Sequence, residues 1–337
     1  MATIRQVAAR AGVSVATVSA VITGKRRVSE ELRNKVQIAM EELNYHPNAL
    51  ARALYANRTY TIAYMVPSIA NQGFSNALKA VETVANENGY AVFVCNTNGS
   101  PEMAAKHQKR LLEMRIDGVL LALTWELTQP EFVAEFQRHG VKVVGLSGGR
   151  PVDGISCFLG DDEQAGYDLG RYLTSLGHRR CAFIGPAESA VGNLRLAGLQ
   201  RAFTSVDGAV PSELVIPMDG YDAAAGKKAL YSLLSTGEGF TCIVCFNDAV
   251  AAWVLVALTE QGIAVPQRLS VATFGNVYAP ITQPPLTTMV YSELDAGIKA
   301  TECLLAQIAG ADDPPKTHLL RLELEVRTST RAIVGET

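Results

Sequence analysis

A chain of 337 residues, 48% hydrophobic and 19% charged, has room for two or three domains and the composition of a soluble globular protein. No apolar run is long enough to span a bilayer, and Arg5 and Arg10 interrupt the apolar stretch that a secretory signal needs, so neither a membrane span nor export is expected. The net charge of −3 hides an asymmetry: residues 1–59 hold nine Lys/Arg and four acids, for +5, and the remainder is −8. A small basic head on an acidic body suits a polyanionic partner for the head, although charge alone also fits an ordinary solvated surface.

The first elements are helical. Thr3-Ile4-Arg5-Gln6 fits a capping box, and Ile4, Val7, Ala8 and Ala11 then share one helical face up to Gly12, a natural stop. Ser14 can cap a second helix with Val18, Val21 and Ile22 inside, ended by Gly24. Ser29 caps a third, whose apolar stripe is Leu32, Val36, Ala39, Met40 and Leu43 and whose stop is Asn44. Two short helices joined by a Gly-containing turn, then a third, describe a helix-turn-helix unit. In such a unit the N-terminal part of the second helix enters the major groove. Ser14, Thr17 and Ser19 offer hydroxyls there, and Lys25, Arg26 and Arg27 can meet phosphates just beyond. Val15 and Ala16 at the tip, and Ala20 further on, can only make apolar contacts, for instance with thymine methyls. Direct base readout is therefore expected to be sparse. A helical hairpin used only for packing is the alternative, made weaker by the basic segment that follows.

Next comes "YHPNALARALYANRT". Pro47 can open a helix through Tyr55 that is too short to be stable alone, so it would order on a partner. "TIRQVAARAGVSVATVS", "RVSEELRNKV" and "LNYHPNALARAL" together resemble the DNA-binding head and hinge helix of the LacI/GalR family of bacterial transcription regulators. The resemblance implies that Thr3 belongs to the DNA-contacting set. It also implies that the hinge helices of two subunits pair in the minor groove, with Asn48, Ala51 and Arg52 on the same helix as a leucine wedge, here Leu54. A plain apolar contact between head and body is the other use for Leu54.

From Tyr60 strand and helix alternate. "YTIAYMVP", "YAVFVCN", "DGVLLAL" and "VKVVGLSG" read as strands, interleaved with the helices "FSNALKAVETVANENG", "PEMAAKHQKRLLEMR" and "QPEFVAEFQRHG". After "ISCFLGDD" the series restarts, with "RRCAFIGP", "TCIVCFND" and "LSVATFGN" as strands among four more helices. This predicts two similar α/β lobes with parallel sheets, "LTTMVYSELDAGIKATECLLAQIAG" crossing back between them and "THLLRLELEVRTS" closing one or both sheets. The expected division is a helix-turn-helix domain at 1–46, hinge helix and linker at 47–59, and a body at 60–337. Within the body, lobe 1 takes about 60–160 and 292–323 and lobe 2 about 161–291 and 324–330. The fold class is thus an α/β body of two similar lobes with parallel sheets plus a small all-α N-terminal domain, and the family resemblance implies that the body is periplasmic-binding-protein-like.

Ligands of open α/β sheets bind at the carboxyl ends of the strands, and two lobes turn those ends to one crevice. Polar and aromatic residues just past the strands are the candidates: Ser68, Asn71 and Phe74; Asn96; Thr124 and Trp125; Ser147; Asp161; Asn247 and Asp248; Asn276. They suit a small polar effector such as a sugar or nucleoside, although each can equally be a loop cap. "RLAGLQRAF", "FNDAVAAWVLVALTEQGIAVPQRLSVATFGN" and "PPLTTMVYSELDAG" extend the family resemblance over nearly the whole chain. It implies that Arg195 and Asp248 contact the effector; Arg195's forked donors suit that work, with a surface salt bridge as the alternative. The chain departs from the family at Gly275, where an aspartate is usual, and in "SIANQGFSN", where an aspartate and one of two aromatics are missing and Gly73 stands instead. A typical hexose is thereby put in question, unless Asn276 supplies the acceptor.

Six cysteines lie in apolar segments, and Cys242-x-x-Cys245 has no second pair, so buried thiols are expected rather than a metal or redox site. No nucleophile elbow, phosphate-cradling loop or metal-spaced histidines occur, so neither enzyme chemistry nor a cofactor is expected. The expected protein is a cytoplasmic, bacterial, DNA-binding regulator, nucleoid-associated when bound. It would act as a homodimeric repressor on a pseudo-palindromic operator, under control of the effector. A solute-binding protein or an α/β enzyme sharing the body fold is the alternative.

Overall fold

The structure is a computed structural model that describes residues 2–23, 28–45, 58–186, 189–218 and 223–333. The head holds α1 (Ile4–Ala11), α2 (Val15–Thr23) and α3 (Glu30–Glu42). Local chemistry sets their ends. Thr3 and Gln6 form a complete capping box, Gly12 takes the left-handed conformation (φ 67°), and Ser29 accepts from the Leu32 amide. Val7, Ala8, Val18, Val36 and Ala39 are buried together at the junction of the three helices. Five small side chains make a thin core for a unit of this size. An exposed Arg10–Glu42 pair (2.7 Å) also ties α1 to α3, a contribution of at most about 1 kcal/mol. Lys25, Arg26 and Arg27, and the segment with Asn48, Ala51, Arg52 and Leu54, lie outside the described residues.

The body contains two six-stranded sheets. In the first, β11 (Thr317–Leu320), β5 (Ser156–Gly160), β4 (Lys142–Gly148), β3 (Gly118–Leu123), β1 (Thr61–Val66) and β2 (Ala91–Asn96) lie side by side in that order, all parallel. In the second the order is β12 (Glu323–Glu325), β10 (Thr287–Val290), β9 (Ser270–Phe274), β8 (Cys242–Cys245), β6 (Cys181–Pro186) and β7 (Val215–Met218), with only the β10–β12 pair antiparallel. Helices α4 (Gln72–Glu87), α5 (Pro101–Glu113), α6 (Pro130–Arg138) and α11 (Glu293–Ala309) belong to the first lobe; α7 (Asp162–Ser175), α8 (Ala190–Thr204), α9 (Ala223–Ser235) and α10 (Asp248–Glu260) to the second. Because helices cover both faces, the central strands are buried throughout, as every residue of β3, β8 and β9 is.

The chain passes between the lobes three times: after β5, after β10, and between β11 and β12. The crossing at "LTTMVYSELDAG" is sharp, since β10 belongs to the second sheet and α11, two residues later, packs on the first. Two strands carry weak sequence signals. β7 is four residues long and contains Pro217, which is tolerated because β7 is an edge strand. β10 is also four residues long, half of them threonine, and only two residues separate it from α11.

In the second lobe α7 and α8 approach unusually closely. A Cβ at Gly198 would lie 1.9 Å from the Glu163 carbonyl oxygen, and one at Gly166 would lie 2.1 Å from that of Arg195. Only glycine fits at either place, and this backbone contact sets Arg195 beside Asp162.

Candidate functional site

In the head, α2 turns Val18 inward and leaves Val15 and Ala16 exposed at its N-terminus. Ser14 Oγ accepts from the Thr17 amide (3.1 Å) and shares a hydrogen bond with Thr17 Oγ1 (2.9 Å), which starts the helix. Ser19 and Ala20 are half-buried on the flank, and Thr3 is exposed at the head of α1. The exposed tip of α2 is therefore small and apolar at Val15 and Ala16, flanked by a hydroxyl pair. It can approach a groove floor closely but can form few bidentate base contacts.

In the body, the loops after the parallel strands of both sheets converge. A Cβ at Gly149, past β4, would lie 2.6 Å from the Val191 amide at the start of α8, so the lobes touch there. Several candidates turn out to shape the loops. Ser68 Oγ accepts from the Ala70 amide (3.3 Å), and Asn71 caps α4 through the Gly73 amide (2.9 Å). Asn96 accepts from the Ile69 amide (3.2 Å) and donates to Asn98 (2.7 Å). Asp161 caps α7 through Gln164 and Asn247 caps α10 through Val250. Asn276 is exposed, and its Oδ1 accepts from Arg327 (2.6 Å). Phe74 packs half-buried on the first core, whereas Trp125 is 70% exposed on a short 3-10 turn.

Two candidates are deeply held. Arg195 donates from Nε to the buried Asp162 (2.7 Å) and from Nη1 to the Phe246 carbonyl (2.6 Å). Its guanidinium lies over the Phe274 ring (4.3 Å) and the Phe246 ring (5.2 Å). Its charge is thus already compensated, and the guanidinium edge beyond Nε and Nη1 is what it can offer a ligand. Asp248 is 5% exposed, and its Oδ2 accepts from the amides of Val277 (2.7 Å), Tyr278 (2.6 Å) and Ala279 (3.2 Å). It closes the loop after β9. The other oxygen, Oδ1, points at Gly275, where a Cβ would lie 3.0 Å away. Gly275 is in the left-handed region (φ 98°), so the space beside Oδ1 holds no side chain and one would be costly there.

The structure adds Tyr64 and Tyr291, which the strand-end rule passes over, to Thr124, which it named. Tyr64 Oη, Thr124 Oγ1 and Tyr291 Oη are buried and have no hydrogen-bond partner among the described residues. Tyr291, just past β10, lies near Ser147 (itself at φ 61°) without a hydrogen bond of ordinary geometry. Burial holds both tyrosine hydroxyls firmly protonated, and Glu293 adds to the effect on each. The Glu293 carboxyl is itself held above its usual range, by burial first and then by Asp248 across the crevice. An unpartnered buried hydroxyl is costly; of the three, Thr124 follows β3 and Tyr291 follows β10 at strand ends, whereas Tyr64 lies within β1.

Elsewhere the described residues show no group of His, Cys, Asp and Glu able to hold a metal ion. Cys242 and Cys245 sit on opposite faces of β8, in two different cores, and burial pushes both thiols up. No helix among the described residues is long and apolar enough to cross a membrane.

Residues 3–48 match the model for bacterial regulatory proteins of the lacI family, and residues 171–330 match that for a periplasmic binding protein-like domain. The ribose operon repressor of Escherichia coli (strain K12) is 35% identical over 327 residues, covering 96% of this chain and 97% of that protein. The chain belongs to the lacI family. The HTH-type transcriptional repressor PurR of Vibrio campbellii is 32% identical over 336 residues, covering 99% of this chain and all of that protein. Among solved structures, the Lac repressor dimer bound to operator and the anti-inducer ONPF has a TM-score of 0.85 at 26% identity, over 98% of this chain and 99% of that one. A complex of the regulator CelR with cellobiose has a TM-score of 0.72 at 26% identity, over 98% of this chain and 100% of that one. As a lacI-family member with the head and body described above, the chain is a DNA-binding transcription regulator.

Proposed function

We propose that the protein is a homodimeric repressor whose affinity for a pseudo-palindromic operator is set by a small polar effector, a sugar or nucleoside, held between the lobes. One observation carries this reading: a single chain joins a helical reader with an outward-facing α2 tip to a two-lobed body that holds buried hydroxyls, among them Thr124 and Tyr291 at strand ends, with no partner among the described residues. The relatives' roles as repressors and the cellobiose-bound CelR support it. The protein acts where the DNA is, in the cytoplasm and on the nucleoid when bound, and catalyses no reaction.

Dimerisation is supported by apolar side chains exposed on both lobes. Phe93 and Val94 lie on the edge strand β2, Trp253 and Val256 on α10, and Tyr278 and Ile281 in the loop after β9. Paired heads would meet two half-sites, with Lys25, Arg26 and Arg27 on phosphates and the segment around Leu54 between them. Sparse direct readout at Val15, Ala16 and Ala20 shifts specificity toward how readily the operator's centre deforms. The effector acts by binding one arrangement of the lobes better than the other, a coupling of typically about 1–3 kcal/mol.

Ser68, Asn71, Asn96, Asp161, Asn247 and Asn276 act in this reading chiefly by holding the rim of the crevice. Phe74, Trp125, Ser147 and the free edge of Arg195 are its contacts, and Asp248 acts through Oδ1. Selection of bound duplexes from a random-sequence pool tests the reading. A two-fold-related motif should be enriched, with two chains per duplex in sedimentation. Enrichment of no motif, or a monomer on DNA, would overturn it.

A further inference from the structure

The crevice has a charge sign as well as a shape. Glu293 opens α11 on the first lobe and Asp248 opens α10 on the second, and the charge of Asp248 helps to hold the Glu293 carboxyl above its usual range. Arg195 brings no net charge, because Asp162 pairs with it at 2.7 Å and both are largely buried. In the loops that follow β1 to β10, the described residues include Glu126, Asp153 and Asp161 against one cation, the exposed Arg150. A phosphate or carboxylate entering here would meet uncompensated negative charge in a partly desolvated site, where Coulomb repulsion is strong.

Glu293 is also placed to do what the missing side chain at Gly275 cannot. Its Oε1 lies 3.5 Å from where a Cβ of Gly73 would stand, at the head of α4. Asp248, whose Oδ1 faces the space beside Gly275, acts on it from across the crevice. On its own lobe, Tyr64 and Tyr291 are its electrostatic neighbours, and Tyr64 is fully buried with no partner for its hydroxyl among the described residues. A strong acceptor thus stands with hydroxyls that can donate or accept. That set matches a ligand with several O–H donors.

We propose that Glu293 is the carboxylate that anchors the ligand of this crevice, with Tyr64 and Tyr291 completing its hydrogen bonds, and that this ligand is an uncharged polyol rather than a phosphorylated or carboxylated molecule. The proposal rests on the reading that the crevice binds an effector, and it names the effector's class.

The test uses the full chain and matched compounds: D-ribose and ribose 5-phosphate, D-glucose and glucose 6-phosphate, adenosine and its monophosphate. Calorimetry should find binding among the neutral members and none, or binding at least tenfold weaker, in their phosphorylated partners. Glu293→Gln should weaken the neutral ligand roughly ten- to hundredfold, the usual worth of a hydrogen bond to a charged group. The same change should narrow the neutral-to-phosphorylated ratio, which a merely structural role would leave alone. Tighter binding of a phosphorylated member, or an unchanged ratio in Glu293→Gln, would overturn the proposal. Melting without ligand is a second measurement, independent of the compounds chosen. Tyr64→Phe and Glu293→Gln should each melt about 2–4 °C above wild type, because groups reserved for a ligand are unsatisfied in its absence. Lower melting of both variants would show that these groups are structural and would overturn the assignment. A neutral ligand that binds through Glu293 yet leaves DNA affinity unchanged would instead count against the effector reading.

Discussion

Replacing Asp248 by alanine removes the acceptor of three backbone hydrogen bonds at once. The amides of Val277, Tyr278 and Ala279 converge on Oδ2 at 2.7, 2.6 and 3.2 Å, and the carboxylate is 5% exposed. Each bond to a charged acceptor is worth about 1.5–3 kcal/mol, but the three share one oxygen and do not add. Breaking a buried charged network from one side typically costs about 3–5 kcal/mol, which is the loss expected for Asp248→Ala. Asparagine can turn its amide oxygen to the same amides and keeps neutral bonds, so Asp248→Asn should lose only about 1–2 kcal/mol. Urea unfolding of the two variants measures both numbers, as shifts of the midpoint at constant slope. An Asp248→Ala protein within about 0.5 kcal/mol of wild type would refute the structural role and return Asp248 wholly to ligand binding.

Three further outcomes are expected. His178 is fully buried, and burial pushes its imidazole down to about 4 from 6.5. Stability should then be intact above pH 6.5 and fall by about 3 kcal/mol as pH drops toward 4, where the unfolded chain takes a proton that the folded one refuses. In His178→Gln, melting followed from pH 7 to 5 should lose most of this slope; an equal slope would assign it to other groups. Gly198→Ala places a Cβ 1.9 Å from the Glu163 carbonyl oxygen, so α7 and α8 must separate, at a cost of about 3 kcal/mol or more in thermal unfolding. A variant that melts with wild type would disprove that close contact. Arg26→Ala should weaken binding to all DNA sequences alike and flatten the salt dependence by about one unit, whereas an unaltered slope would remove Arg26 from the phosphate contacts.

The head was legible because its signals are local. Thr3, Gly12, Ser14 and Ser29 act within a turn of their own position, and the structure uses each as the spacing suggests. The two α/β lobes were legible because a sheet covered on both faces demands long apolar runs between amphipathic helices. The strand-end rule picks out the loops that follow the parallel strands, but mixed residues within them. A helix that follows a strand needs an N-cap, and Asn71, Asp161 and Asn247 fill that need with the same side chains that would suit a sugar. Tyr64 escaped because it lies inside a strand, not after one. Tyr291 and Glu293 escaped because β10, four residues long and half threonine, does not stand out from the crossing segment that leads into α11; read as a separate strand, it puts Tyr291 at a strand end. The partner of Arg195 was not legible either, since Asp162 lies 33 positions away and reaches it only through the glycine contact between α7 and α8.

Regulation requires that DNA binding and ligand binding be coupled, and one titration measures the coupling. Fluorescence anisotropy of the full chain on its selected duplex, with and without a saturating neutral ligand, reads it directly. The expected change in affinity is about 5- to 150-fold, in either direction, equal to the change in ligand affinity caused by saturating duplex. Identical DNA isotherms in the presence and absence of a ligand bound in the crevice would contradict it.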